Sequence, residues 1–297
     1  MRIGNLIEQH FHGAYGVDFS KATVNEVLTL TRKLKKDGIS GIFPTLVTDT
    51  VENTRRQIDV IKQAAKQQDG KGAKILGIHL EGIFLNPAKK GIHDSSLFLE
   101  PTIENFKRIA DDFIKIVTLA PELCKKAAKS GENLISYLTN RGVKVQAGHC
   151  VGGDLTGCTG VTHLFNAMSG ISHRGSSTAL SALTNDKIYT EIIADGVHVS
   201  DDALRLVFKT KPIDRILLVS DCLPCTGSKV KEFEFAGSTI FYNGRKATSA
   251  EGTLAGSTTL LPKIYERLLS KGIITEKQAK QLIRNSYTYH NLPYKKL

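Results

Sequence analysis

Residues 75–82 read ILGIHLEG, a short apolar, β-branched run that closes on His79-Leu80-Glu81-Gly82. A run of this length and composition predicts a buried strand, with the chemistry at its end. The pattern recurs: Gly148-His149, Thr162-His163 and Ser220-Asp221 each close an apolar run, and Leu6 to Phe11 leads into His10-Phe11-His12-Gly13. Residues i and i+2 of a strand face the same side. A barrel of such strands turns His10, His12, Glu81, His149, His163 and Asp221 toward one point. Imidazoles and carboxylates gathered in this way suit a divalent cation. A cation beside a free carboxylate suits hydrolysis. His79 is read differently, as a hydrogen-bonded core residue that points inward without ligating.

Outward from that stretch the chain alternates between strand and helix signals, with no linker. Strands are expected at Leu6 to Phe11, Ile39 to Val47, Ile75 to Leu80, Phe113 to Leu119, Val143 to Ala147, Val161 to Phe165, Ile188 to Ala194 and Arg215 to Val219. Helical spacing marks Ala22 to Lys36, Val51 to Gln68, Pro101 to Asp111, Glu132 to Asn140, Asp201 to Lys209, Leu260 to Leu269 and Glu276 to Arg284. Alternation of this kind predicts a parallel (β/α)8 barrel of the TIM type over residues 1–297, and in such barrels chemistry sits at the C-terminal ends of the strands. Two segments stand apart. Residues 233–249 alternate around Asn243-Gly244 and predict a β-hairpin insertion. The glycine-rich span from Cys150 to Gly160 leaves room for a fifth crossover helix of one or two turns at most. Residues 260–297 are read as a helical tail, with Tyr289 and His290 as part of it.

The 297 residues, 41% of them hydrophobic, suffice for one large core. No apolar stretch approaches a membrane span and MRIGNLIEQHFHG has no signal-peptide core, so the expectation is a cytoplasmic protein without a membrane partner. Five cysteines, an odd number, argue against a disulfide framework. Cys222-Leu223-Pro224-Cys225 is a lone CxxC and reads first as reduced thiols in a loop, with a redox pair or half a zinc site as alternatives. The net charge of +11 is carried by scattered lysines, which reads first as lysine-rich background composition, second as steering of a small anionic substrate, and a distant third as nucleic-acid binding, which would want clustered basic residues.

Seven collinear segments carry a resemblance: GIHLEGIFLNPAKKGIH (77–93), VTLAPE (117–122), AGHC (147–150), THLFNAMS (162–169), IIADGVHV (192–199), LLVSD (217–221) and GTLAGST (252–258). They resemble the N-acetylglucosamine-6-phosphate deacetylase family of the amidohydrolase superfamily. The resemblance implies hydrolysis of the acetamide of N-acetylglucosamine 6-phosphate to glucosamine 6-phosphate and acetate. It implies one or two divalent metals per chain, zinc ranked before iron, manganese or cobalt. It implies Glu81, His149 and His163 as metal ligands, His10 and His12 as the pair that some members use for a second metal, and Asp221 as the catalytic aspartate. His93 matches a catalytic histidine, and His198 one that contacts substrate. Asn166 and Ala167 match contacts to the sugar phosphate, Arg174 the phosphate-binding arginine, and Leu254, Ala255 and Gly256 a loop that closes over the substrate. A phosphorylated N-acetylated amino sugar is the expected ligand and a homodimer the expected assembly.

The chain departs from the family in places. Nine residues precede His10 and the chain ends soon after the last helix signal, so the flanking β-sandwich of the family is expected to be largely missing. Arg174 is followed by Gly-Ser-Ser-Thr, Glu81-Gly82 by Ile83, and His149 by Cys150. Two rival readings remain: an amidohydrolase acting on another acylated sugar or a cyclic amide, and a degenerate barrel that binds a sugar phosphate without turnover.

Overall fold

A computed structural model describes residues 3–127 and 131–294. The expected domain over 1–297 and the tail over 260–297 reach beyond these, and their ends lie outside the described residues. Eight strands form the barrel: β1 (Leu6–Phe11), β2 (Ile39–Leu46), β3 (Ile78–Glu81), β4 (Ile114–Leu119), β5 (Lys144–Ala147), β6 (Gly160–Val161), β7 (Tyr189–Ile193) and β8 (Ile216–Val219). They pair in sequence order and in parallel. The ring closes between β8 and β1 near their C-terminal ends: the Asp221 N–H donates to the His10 carbonyl (2.8 Å) and the His12 N–H to the Cys222 carbonyl (2.9 Å).

Helices cover the outside because their sequences cap and pattern them to do so. In α1 (Val24–Lys36), Thr23 and Glu26 form a capping box, and Val27, Leu30, Thr31 and Leu34 supply one buried face. Thr50 caps α2 (Val51–Lys66) in the same position. Covered inside and out, β1 and β2 are buried at every residue; Ile39–Leu46 is accordingly mostly apolar, whereas β1 also buries Glu8, Gln9 and His10 among its apolar residues.

Four expectations need correction. Strand six ends at Val161 instead of Phe165, because His163, Phe165 and Ala167 take positive φ (30°, 77° and 47°) and turn the chain out of the sheet. The fifth crossover contains no helix, since residues 148–159 run as loop and turn. The hairpin grows into a four-stranded antiparallel sheet, β9 (Glu232–Phe235), β10 (Ser238–Tyr242), β11 (Ala247–Ser249) and β12 (Leu254–Gly256), with its own small core of Phe235, Ile240 and Ala247 against Val47, Ile92 and Leu223. The terminal helix (Glu276–Tyr289) is no loose tail. The buried Tyr289 hydroxyl lies 2.9 Å from Thr159 Oγ1 and accepts from Gln146 Nε2 at 3.3 Å, while His290 stacks on Phe43 (centroids 4.2 Å apart).

Candidate metal centre and cavity

Glu81 is the hub of the site. Its Oε2 lies 3.1 Å from His10 Nε2 and 3.2 Å from His12 Nε2, and its Oε1 lies 2.9 Å from His163 Nε2 and 3.4 Å from His149 Nε2. Asp221 Oδ1 approaches the same group, 3.0 Å from His12 Nε2 and 3.5 Å from His10 Nε2. All six side chains are buried. Gly82 is required directly after the hub: its φ is +156°, and a Cβ there would stand 2.4 Å from the Thr48 nitrogen.

The imidazoles are held by their other nitrogens. His10 Nδ1–H donates to Glu191 Oε2 (2.9 Å), His149 Nδ1–H to the Lys89 carbonyl (2.8 Å) and His12 Nδ1–H to the Thr45 carbonyl (3.4 Å). An imidazole that donates from Nδ1 carries a lone pair on Nε2. Nε2 lone pairs therefore face carboxylate oxygens, and the Nε2 atoms of His149 and His163 face each other at 3.2 Å. Asp221 Oδ1 is buried and faces the Nε2 atoms of His12 and His10. A set of acceptors facing acceptors fits a cation at its centre. His10, His12, Glu81 and Asp221 would hold it on one side, Glu81, His149 and His163 on the other.

The electrostatics agree. Burial pushes His12 down, but Asp221 and Glu81 beside it carry it up to about 9. Burial opposes ionisation of Glu81 and Asp221, and the surrounding histidines outweigh it, holding both carboxyls below their usual range. Protons and a metal thus compete for the same lone pairs. His79, beneath the hub, is lowered to about 4, chiefly by burial. It lies 3.0 Å from the Gln9 carbonyl and 2.7 Å from Thr118 Oγ1, a satisfied core residue as expected.

Three of these residues leave their strands in the left-handed region: His149 (φ 48°), His163 (30°) and Asp221 (51°). Such conformations cost of order 1–3 kcal/mol each and cluster at functional sites. They aim each side chain over the barrel axis, where a straight strand would run past it.

Above the hub opens a cavity of about 600 Å³. His93, His198, Asn166, Ala167 and Leu254 to Gly256 line it, together with Lys89, Lys90 and Phe235. His10 sits behind the lining, completely buried. Arg174 is not brought to the cavity: it is exposed, with Nε 3.1 Å from His173 Nε2. His93 Nδ1 accepts from the Thr48 N–H (3.4 Å) and hydroxyl (2.8 Å), so the ring is neutral with a proton on Nε2. Burial, then neighbouring histidines, lower it to about 3. His198 donates Nδ1–H to Asp195 Oδ2 (2.8 Å); burial lowers its pKa, but Asp195 raises it overall. Cys222 and Cys225 are free and buried, consistent with reduced thiols.

Sequence reasoning missed Thr48, Asp195, Glu191 and the two lysines. Asp195 could have been found, three residues before His198 in IIADGVHV.

Glu8, below His10 on β1, carries a testable consequence. Burial raises it to about 8 against hydrogen bonds from the Ser220 and His10 N–H groups (both 3.3 Å). A raised carboxyl contributes stability that is full below its unfolded value near 4.5 and is lost as pH rises through about 8. Glu8→Gln keeps the acceptor and removes the titration. The expected result is a melting temperature that no longer falls over this window, and a gain on the order of 1–4 kcal/mol above pH 8; an unchanged pH profile would contradict it.

No protein-family model matches the chain. Among curated proteins, N-acetylglucosamine-6-phosphate deacetylase of Bacillus subtilis is 32% identical over 264 residues, 85% of this chain and 65% of that protein. The chain is similar to N-acetylglucosamine-6-phosphate deacetylases over most of its length. N-acetylgalactosamine-6-phosphate deacetylase of Escherichia coli O157:H7 is 28% identical, over 92% of this chain and 73% of that one. A solved N-acetyl-D-glucosamine-6-phosphate deacetylase mutant from Mycobacterium smegmatis, in complex with N-acetyl-D-glucosamine-6-phosphate, is 27% identical with a TM-score of 0.87, over 98% of this chain and 78% of that one. The chain spans just under two thirds of the length of the Bacillus subtilis family member. Among the described residues no helix is long and apolar enough to cross a membrane.

Proposed function

We propose that the chain is a metal-dependent deacetylase of N-acetylglucosamine 6-phosphate. The observation that carries this reading is the set of Nε2 lone pairs and carboxylate oxygens, facing one another at 2.9–3.5 Å, at the floor of an open cavity. A bound divalent cation, zinc before iron, manganese or cobalt, would supply Lewis acidity to water and to the amide carbonyl. Asp221, held ionised by His10 and His12 at the cavity floor, takes a proton from the attacking water and delivers it to the amide nitrogen. The C–N bond breaks, water oxygen leaves in acetate, and the amine leaves on the sugar. His93, neutral and fixed by Thr48, donates Nε2–H to the oxygen on which charge develops. His198, Lys89 and Lys90 bring positive charge to the cavity and receive the phosphate end. Arg174 lies outside this lining, so within one chain these groups must do that work. The five free thiols fit a cytoplasmic setting.

The test is acetate release from N-acetylglucosamine 6-phosphate by metal-loaded protein. Release should stop with a chelator and return with added zinc or manganese. It should be far slower on N-acetylglucosamine lacking the phosphate. Metal uptake without release from this substrate would overturn the reading; release only from the galacto epimer would move it to that sugar.

A further inference from the structure

One buried carboxylate has no part in the chemistry above. Glu191, on β7, lies completely buried and outside the cavity lining. Every contact to it is a donor. Its Oε2 accepts His10 Nδ1–H (2.9 Å) and, more weakly, the His163 N–H (3.4 Å). Its Oε1 accepts Gln9 Nε2–H (2.6 Å). Gln9 is held in turn: its Oε1 accepts His290 Nε2–H (2.9 Å), and His290 is stacked on Phe43 at the end of the terminal helix. The other imidazoles of the cluster lack such backing. His12 and His149 lean on neutral carbonyls, and His163 Nδ1 is buried without a partner.

We propose that Glu191 is a positioning residue that builds the His10 side of the metal centre. As a carboxylate it fixes the Nδ1–H tautomer of His10, aims Nε2 at Glu81 and Asp221, and makes that nitrogen a stronger donor to a cation. Gln9 and His290 lock the carboxylate's second oxygen, so the ring has one orientation.

The inference rests on the metal-dependent reading, and its test reads cation rather than acetate. Metal-stripped protein is titrated with zinc against a chromophoric chelator, and with cobalt for its ligand-field spectrum. In Glu191→Gln one amide end must present NH2 either to His10 Nδ1–H or to the Gln9 amide, donor against donor. Cation affinity on the His10 side should fall by ~10- to 100-fold and the cobalt spectrum should change, with the circular dichroism of the parent. The double variant Gln9→Glu/Glu191→Gln is the second arm. The amide now on β7 can accept from His10 and donate to the carboxylate now on β1, and that carboxylate can accept from His290. Every hydrogen bond is restored while the charge moves one residue away. Thermal stability should recover and cation affinity should stay low. Parental affinity and spectrum in both variants would overturn the proposal, as would full recovery of affinity in the double variant, which would reduce Glu191 to packing. A parent that takes up no cation would overturn the metal centre itself, and this inference with it.

Discussion

Asp221→Asn should lower the rate of acetate release by about 10²- to 10⁴-fold while the protein keeps its fold. The substitution is unusually clean at this position. Asp221 sits at φ 51°, a region that asparagine enters as readily as aspartate. Its backbone is pinned on both sides: its N–H donates to the His10 carbonyl and its carbonyl accepts the Ser257 N–H, each at 2.8 Å. What disappears is the basic oxygen. Burial would favour a neutral acid here, but His10 and His12 hold the group ionised, so at neutral pH the parent has a base and the variant has none. Steady-state acetate release, with metal counted per chain, separates this from a loss of cation. A variant as fast as the parent would remove Asp221 from the chemistry and return the degenerate or alternative amidohydrolase readings to contention.

The barrel and the buried cluster of histidines and carboxylates were legible for one shared reason. Strands buried on both faces are rich in apolar, β-branched residues, so a histidine or carboxylate at the end of such a run stands out against its background. Glu81, His149, His163 and Asp221, which the fold gathers into one cluster, each end such a run. What lay hidden was the geometry that crosses the chain. Glu191 in Tyr189–Ile193 looks like any polar residue in a strand, and its partner His10 is 181 positions away. His290 looks like a terminal residue until the helix before it is seen to cap the barrel, 281 positions from Gln9. Thr48 follows β2 as an ordinary loop threonine, yet it decides which nitrogen of His93 carries the proton.

Backbone strain was equally silent. Nothing in Thr162-His163-Leu164-Phe165 signals a left-handed turn, because the usual signal is glycine and no glycine is present. Propensity alone extended strand six to Phe165. The competing demand, that His163 Nε2 reach Glu81 Oε1 at 2.9 Å, is tertiary and wins over local preference. By contrast Asn243-Gly244 gave a turn that does form, with the Asn243 N–H donating to the Lys246 carbonyl, because turn chemistry is local.

Glu81→Gln should be the more damaging change, since it strikes the cation's place rather than the proton's path. One carboxylate oxygen faces His10 and His12, the other His149 and His163. An amide can keep an acceptor on only one of those sides. On the other its NH2 meets two Nε2 lone pairs and occupies the space a cation needs. Metal uptake should therefore fall on at least one side of the cluster, and acetate release should fall by more than the roughly 10²- to 10⁴-fold expected from losing a general base alone. A second readout is independent of turnover. At 100 times its dissociation constant a bound metal stabilises the parent by about 2.7 kcal/mol, a rise of several degrees in melting temperature that the variant should lose. If Glu81→Gln instead kept both the parental metal count and the metal-induced rise, the imidazoles would hold the cation without it. Glu81 would then be a carboxylate kept ionised by four histidines, a carrier of protons and not a ligand.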